Sequence, residues 1–307
     1  MPSSVVVGAG PVGRATARLL SDGGEDVRLV SRSGSGPAHP RIDLIAADAT
    51  DTARLRELAG GARTLFNCAM PRYDRWPAEF PPLAAALLAT AEQVGADYVM
   101  AGNTYGYGPV DGPFTEDLPM APTTVKGRVR ARIWTDALRA HEQGRVRVAE
   151  VRAGEYIGAG AVSGYTLMVV PAVLAGVEAP WPGDPDVARS WNDVADVGAT
   201  LVAASRSEHW GRAWHVPSVA DQSARALTHR LAGLAGAPTP SLRAMPVEEL
   251  RQLGESEPIM AEIVEMYYLT DRPHVLDSTQ TERLLGVHAT PLDQVLRATI
   301  AEQAAAR

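Results

Sequence analysis

The chain has 307 residues, 46% hydrophobic and 21% charged, with a formal net charge of -7 and a pI near 5.5. That balance supports a sizeable apolar core, and the acidic surplus excludes the clustered cationic surface that nucleic acid or an anionic membrane would require. One cysteine, Cys68, excludes an internal disulfide and suits a reducing cytoplasm; no basic leader precedes the first apolar run, so no signal peptide is expected, and the longest apolar stretch, Tyr165 to Val177, is short of a bilayer span and contains Pro171.

In chain order, Val5–Val7 reads as a strand, Val12–Leu20 as a helix, and Val27–Val30 and Ile42–Ala46 as strands. Asp51–Ala59 then reads as a helix, Thr64–Cys68 as a strand, Pro82–Val94 as a helix rich in Ala and Leu on all sides, and Tyr98–Ala101 as a strand. Gly127–His141 (helix) and Val146–Val151 (strand) close the first half. Strands alternating with helices at this spacing predict right-handed crossovers and a doubly wound parallel sheet with helices on both faces, an α/β Rossmann-type fold. Past Val151 the pattern loosens. Apolar helical stretches (Gly164–Ala175, Val194–Ser205, Gln222–Leu234) are interrupted by segments such as Ala179–Pro185. The expected organisation is a dinucleotide-binding domain over residues 1–152 and a smaller C-terminal substrate-binding lobe over 153–307, some of whose segments return to the sheet. The ligand crevice then lies at the carboxyl ends of the strands.

The first strand runs into Gly8-Ala9-Gly10-Pro11-Val12-Gly13 and then a helix. In this G-x-G-x-x-G, Gly8 permits the tight turn, Gly10 admits a pyrophosphate against the backbone, and Gly13 lets the helix lie on the strand. The helix N-terminus offers free N–H groups and a positive dipole end to the phosphates. The second strand ends at Ser31-Arg32 instead of the acidic residue that would hold unmodified ribose hydroxyls. A hydroxyl and a guanidinium suit a 2′-phosphate, so NADP is expected ahead of NAD. Asp48, after the third strand, stands where an adenine amino group could be bound.

Taken together these residues resemble the short-chain dehydrogenase/reductase superfamily, in its extended and atypical branch, the NAD-dependent epimerase/dehydratase family. The resemblance rests on the glycine turn, Asp48-Ala49, Phe66-Asn67-Cys68-Ala69, and Asn103-Thr104-Tyr105-Gly106-Tyr107-Gly108. It continues with Arg152-Ala153-Gly154-Glu155-Tyr156-Ile157-Gly158, Trp191-Asn192-Asp193-Val194-Ala195-Asp196-Val197, and the ending Leu276-Asp277-Ser278, Leu285-Gly286 and Thr290-Pro291-Leu292. It implies a dinucleotide held by Gly8, Gly10, Pro11, Val12, Gly13, Ser31, Arg32, Asp48, Ala49, Cys68, Ala69 and Lys126. It also implies a homodimer paired through the helices at Pro82–Val94 and Gly127–His141.

The family's reaction uses a Ser or Thr with a Tyr and a Lys spaced Y-x-x-x-K; here Asn103, Lys126 and Arg130 fall at those places. Cofactor binding is therefore implied more strongly than the usual reaction. Tyr105, two residues from Asn103 at the sheet's carboxyl edge, could supply the missing acid. Lys126 is the one lysine among 29 lysines and arginines. It could donate a proton, accept one, form an imine, or serve as a cation that holds the cofactor. Glu155 could act as a base, pair with Lys126 or join an arginine, and its charge argues against a diphosphate substrate. Tyr73, Trp76, Tyr107, Tyr156 and Trp191 are candidate walls for an apolar or aromatic substrate. The seven histidines lack metal spacing, so no metal is expected.

The favoured expectation is an NADP-dependent oxidoreductase or epimerase acting on a small organic molecule. Two others stand beside it: a lyase, isomerase or cyclase working without hydride transfer, and a non-catalytic NADP-binding sensor.

Overall fold

The computed structural model describes residues 3–305. Its first half builds β1 (Ser4–Val7), α1 (Pro11–Asp22), β2 (Val27–Ser31), β3 (Ile42–Ala46), α2 (Thr52–Ala59), β4 (Thr64–Asn67), α3 (Trp76–Val94), β5 (Asp97–Asn103), α4 (Val125–Glu142) and β6 (Val148–Ala153). The second half adds β7 (Glu155–Ile157), α5 (Val170–Leu174), β8 (Ala179–Pro182), β9 (Ala188–Asp193), α6 (Val194–Arg206), β10 (Arg212–His215), β11 (Ala220–Ser223) and α7 (Ala224–Ala235). It ends with β12 (Leu242–Met245), α8 (Val247–Gly254), α9 (Pro258–Val264), α10 (Thr279–Leu285) and α11 (Leu292–Ala305).

The β-branched, apolar strands of the first half are buried on both faces, as a parallel sheet covered by helices requires. Seven strands lie in the order β10-β6-β5-β4-β1-β2-β3, every pair parallel. The chain winds outward from β1 to β3, then restarts at β4 on the other side of β1. The switch point therefore falls between β1 and β4, where Val7 and Asn67 stand in register. One core layer packs Val5, Leu65, Tyr98 and Val148 against α2, α3 and α4; the other packs Val6, Phe66, Val99 and Val151 against α1 and α6.

Helix α3 begins six residues earlier than its sequence suggests and carries Pro81 and Pro82 inside it. Trp76 and Phe80, one turn apart and both 1% exposed, anchor that extra turn in the core. Their burial outweighs the backbone bonds that the prolines forgo.

Beyond β6, α6 and β10 return to the sheet. β10 pairs with β6, and α6 lies on α1 at Gly198, where a Cβ would come 3.1 Å from the Thr16 nitrogen. The other segments form the smaller lobe. Strands β11-β9-β7 and the β12–β8 pair surround Tyr165, Trp181, Trp191, Leu227 and Leu296. The Gly164–Ala175 stretch is a π-helical turn, Tyr165–Val169, followed by α5 with Pro171 in its first turn. Ala179–Pro185, which reads as an irregular break, contains strand β8. Gln222–Leu234 divides into the end of β11 and α7, with Ser223 capping the helix through the Ala226 N–H. Among the described residues no helix is long and apolar enough to cross a membrane.

Candidate functional site

At the β1–α1 turn, Gly8 adopts φ +106°, and a Cβ there would lie 2.5 Å from the Cys68 carbonyl and the Ala69 nitrogen. A Cβ on Gly13 would stand 1.8 Å from the Gly8 oxygen, whereas one on Gly10 would meet nothing within 4 Å. Gly8 and Gly13 thus serve close approach of the chain to itself, and Gly10 opens the backbone to an outside group. Helix α1 has no side-chain cap, and its first backbone bond runs from the Arg14 N–H to the Gly10 oxygen. The N–H groups of Val12 and Gly13, behind Pro11, precede that bond. These features fit a dinucleotide pyrophosphate.

Ser31 ends β2, and Arg32 follows it, exposed and close enough to Asp48 to help lower that carboxyl. Asp48 itself accepts from the Thr50 N–H and hydroxyl at 2.8 Å, while Asp51 caps α2 through the Arg54 N–H. Ala49 and Ala69 pack on the α2–α3 core layer. Burial pushes the Cys68 thiol up to about 12, which makes it an inert packing group beneath the turn.

The second cluster stands at the carboxyl end of β5. Asn103 closes the strand, its side-chain oxygen accepting from the Tyr105 N–H at 3.2 Å. Tyr105 begins a short 3-10 turn, and its hydroxyl accepts from the Tyr73 hydroxyl at 3.3 Å. Burial raises both phenols, and the charge of Glu155 raises both further. Trp76 lies beneath this pair, edge-on to Tyr73 at 5.1 Å between centroids, with the Arg130 guanidinium over its face at 4.9 Å. Arg130 donates to the Ala101 oxygen at 3.1 Å and keeps a buried Nε–H without a partner.

Lys126, on the first turn of α4, is 1% exposed. Its Nζ sits 4.6 Å from the Tyr73 ring centroid, and it pairs with Glu265 at 2.8 Å and with Glu262. Glu265 also accepts from the Val125 and Lys126 N–H groups at 2.8 and 3.3 Å, capping the positive end of α4. Of the roles open to Glu155, the pairing with Lys126 does not form; its charge acts on Arg189 and on the phenols.

Arg189, on β9, is 2% exposed and lies over the faces of Trp181 and Trp191, 4.9 and 5.5 Å from their centroids. Its Nη2 donates to the Leu269 oxygen at 2.9 Å, and its Nε and Nη1 have no partner. A buried guanidinium with two unmet donors retains the capacity to bind an oxyanion.

Three candidate walls are corrected. Trp191 is wholly buried and gives its indole N–H to the Gln222 oxygen at 2.9 Å. Tyr107 is buried against Phe114 and Leu276. The Asp277 carbonyl takes the Nδ1 proton of His215, so His215 Nε2 accepts from the Tyr107 hydroxyl at 2.8 Å, and that oxygen accepts from Arg152 at 2.5 Å. Both aromatics hold the fold and offer no surface to a ligand. Trp76 is equally buried and acts through Tyr73 and Arg130. Tyr156 stays half-buried, its phenol pushed up to about 12 by burial.

Arg189, Glu262, Glu265 and the buried His274, which meets the Thr104 hydroxyl at 2.9 Å, are the residues that sequence reasoning passed over. Glu262 and Glu265, three apart, would share one face of a helix, a signal readable from spacing. Arg189 sits two residues before Trp191. Nothing local marks His274, whose neighbours come from distant parts of the chain. Among the described residues, no three His, Cys, Asp or Glu side chains group as metal ligands do.

Comparisons agree with this geometry. The profile of the "NAD dependent epimerase/dehydratase family" matches residues 4–216. A dTDP-6-deoxy-L-talose 4-dehydrogenase (NAD(P)(+)) of Kitasatospora kifunensis is 27% identical over 214 residues. That match takes in 66% of this chain and 64% of the relative, less than two thirds of its length. Among solved structures, a dTDP-glucose 4,6-dehydratase double mutant from Streptomyces venezuelae with NAD bound shares the fold at a TM-score of 0.79 and 20% identity, covering 98% of this chain and 96% of that one. UDP-glucose 4-epimerase from Thermotoga maritima, solved with UDP-glucose, does so at 0.80 and 17%, covering 99% of each. With the glycine turn at the β1–β4 switch point and a profile match across more than half its length, the chain belongs to the NAD-dependent epimerase/dehydratase family.

Proposed function

We propose that the protein is a nicotinamide-dinucleotide-dependent oxidoreductase or epimerase acting on a nucleotide sugar. The observation that carries this reading is the buried Arg189, whose unpaired Nε and Nη1 lie near enough to Tyr105 and Glu155 for their charges to act on it. A diphosphate or sugar oxyanion on Arg189 would bring the rest of a substrate towards the Tyr73–Tyr105 pair. The expectation of a small organic substrate against apolar or aromatic walls is revised. Tyr107 and Trp191 are not walls, and the relative and the two solved enzymes are named for dTDP- or UDP-sugars. The diphosphate repulsion expected from Glu155 is offset by the guanidinium beside it.

When bound, the dinucleotide supplies hydride acceptance and donation. The chain's own part is binding, orientation and proton control. Gly10 and the α1 N-terminus would take the pyrophosphate. Ser31 and Arg32 would favour a 2′-phosphate, hence NADP over NAD. Tyr105 Oη would hold the proton exchanged with the substrate oxygen, with Tyr73 as the next donor and Asn103 fixing the turn. With both phenols raised, the pair keeps its protons at neutral pH and stands as a donor. Lys126 would be the fixed cation that seats Tyr73. A homodimer through the outer faces of α3 and α4 is part of this reading. Pro81, Ala85, Leu88 and Ala89 line an open groove there, flanked by Glu92 and Arg132.

Calorimetry with NADPH and NADH, then with dTDP-glucose and UDP-glucose added to the dinucleotide complex, tests it. Arg189→Met should abolish the sugar-nucleotide heat and leave the dinucleotide heat in place. Absence of any dinucleotide heat would remove the enzymatic reading altogether.

A further inference from the structure

We propose that residues 258–265 are a closing strap over the reaction cleft, and that Lys126 is the catch on which Glu262 and Glu265 fasten it. This rests on the reading of the Tyr73–Tyr105 cleft as the reaction site, and adds to it how that site is shut and opened.

Helix α9 has no fully buried residue, and Ile259 on it is 42% exposed. A segment without an apolar anchor has little hydrophobic reason to stay where it is. It nevertheless packs on the turn that carries Tyr73. Apart from its packing on the neighbouring α8, where Gly254 lies against Ala261, its attachment to the cleft is polar and concentrated at one end. Glu262 and Glu265 reach Lys126 Nζ, and Glu265 also takes two backbone N–H groups of α4. Met266 follows, 4% exposed, with its sulfur 3.6 Å from the Thr124 hydroxyl. The segment thus covers the Lys126 ammonium on one side, with the Tyr73 ring beside it. Fastened, the strap holds the ammonium above the Tyr73 ring; released, it would uncover Lys126 and Tyr73 together. Next along the chain, the Tyr268 hydroxyl is buried without a hydrogen-bond partner, and the Leu269 carbonyl holds Arg189. Lifting the strap would therefore also loosen the cover on the oxyanion donors. Ion pairs suit such a catch because they are strong when dry and weaken once water enters.

Because the chain has one lysine, the catch can be read alone. Ligand-free protein is pulsed with acetic anhydride, and acetylation of the Lys126 peptide is followed by mass spectrometry, with amide hydrogen exchange measured in parallel. In wild type Lys126 should react slowly. In Glu262→Gln/Glu265→Gln its acetylation should rise about tenfold or more, and exchange across 258–265 should rise with it while β5 and β6 stay protected. The milder Glu265→Asp should fall between. Independently of any variant, raising salt to about 1 M should speed wild-type acetylation through screening of the opened pair. Equal acetylation rates in wild type and double variant, or faster acetylation with no change in exchange across 258–265, would overturn the strap. A protein that behaves as expected here yet gives no heat with NADPH or NADH keeps its strap and loses the enzymatic reading.

Discussion

The hydroxyl of Tyr73 donates to the hydroxyl of Tyr105 across 3.3 Å, joining the turn before α3 to the turn after β5. The two lie 32 residues apart in sequence and meet because β4 and β5 are neighbours in the sheet. Their pairing places a phenolic proton at the carboxyl edge although the Y-x-x-x-K positions carry Lys126 and Arg130.

If Tyr105 carries the proton, Tyr105→Phe should cut kcat by about a hundredfold or more with nucleotide-sugar substrate. Dinucleotide affinity should stay near wild type, since the glycine turn is untouched. Tyr73→Phe should lower kcat less, because Tyr105 keeps its own hydroxyl. Steady-state kinetics beside a binding titration check this; equal effects of the two changes would place the proton elsewhere.

The glycines of the turn should separate folding from binding. Gly13→Ala puts a Cβ into the Gly8 carbonyl, and should cost about 1–3 kcal/mol of stability in ligand-free protein. Gly10→Ala meets no protein atom, so the ligand-free melting temperature should hold while dinucleotide affinity falls. Thermal melts with and without NADPH read both.

Arg32→Asp should weaken NADPH by about tenfold or more, the scale of one charge-assisted contact, and change NADH little. Isothermal titration of both cofactors measures it. Equal losses would show that Arg32 does not face the extra phosphate.

Acid stability should depend on two buried histidines. His215 and His274 are pulled from 6.5 to about 3, first by burial and then by Arg152 and Arg189 respectively. The unfolded chain takes up these protons near 6.5 and the folded chain does not, so stability falls as pH drops from about 6.5 towards about 3. Asp193 runs the other way. Burial and then Asp196 raise it from 3.8 to about 6, so its contribution is lost as pH rises through that interval. The two histidines outweigh it, and the melting temperature should fall on acidification. Asp193→Asn should raise stability near neutrality, and His274→Asn should flatten the acid limb. Melts across this pH range decide the matter, and an unchanged slope in His274→Asn would refute it.

The sheet and glycine turn were legible because their signals are local. A strand, three glycines at fixed spacing and the start of a helix lie within residues 4–13, and close packing of Gly8 and Gly13 is why those positions lack side chains. The start of α3 was missed because Pro81 and Pro82 signal a boundary, while the burial of Trp76 and Phe80 that overrides them is tertiary. Lys126, Tyr105 and Glu155 can be picked out from their places in the sequence, but the side chains that surround them cannot. Lys126 meets carboxylates 136 and 139 residues away, and Arg189 comes within reach of the charges of Glu155 and Tyr105 from β9. Tyr107 and Trp191 show the converse error. An aromatic at a strand's end reads the same in sequence whether it faces a cleft or a core.

The return of α6 and β10 to the first lobe bears on how the molecule is made. During synthesis the last sheet strand and the cover for α1 do not exist until residue 215 has left the ribosome. Until then the Val99–Val151 side of that layer, which α6 covers, is a bare apolar face on the nascent chain. A fragment ending at β6 would carry every glycine of the turn and still lack a finished core.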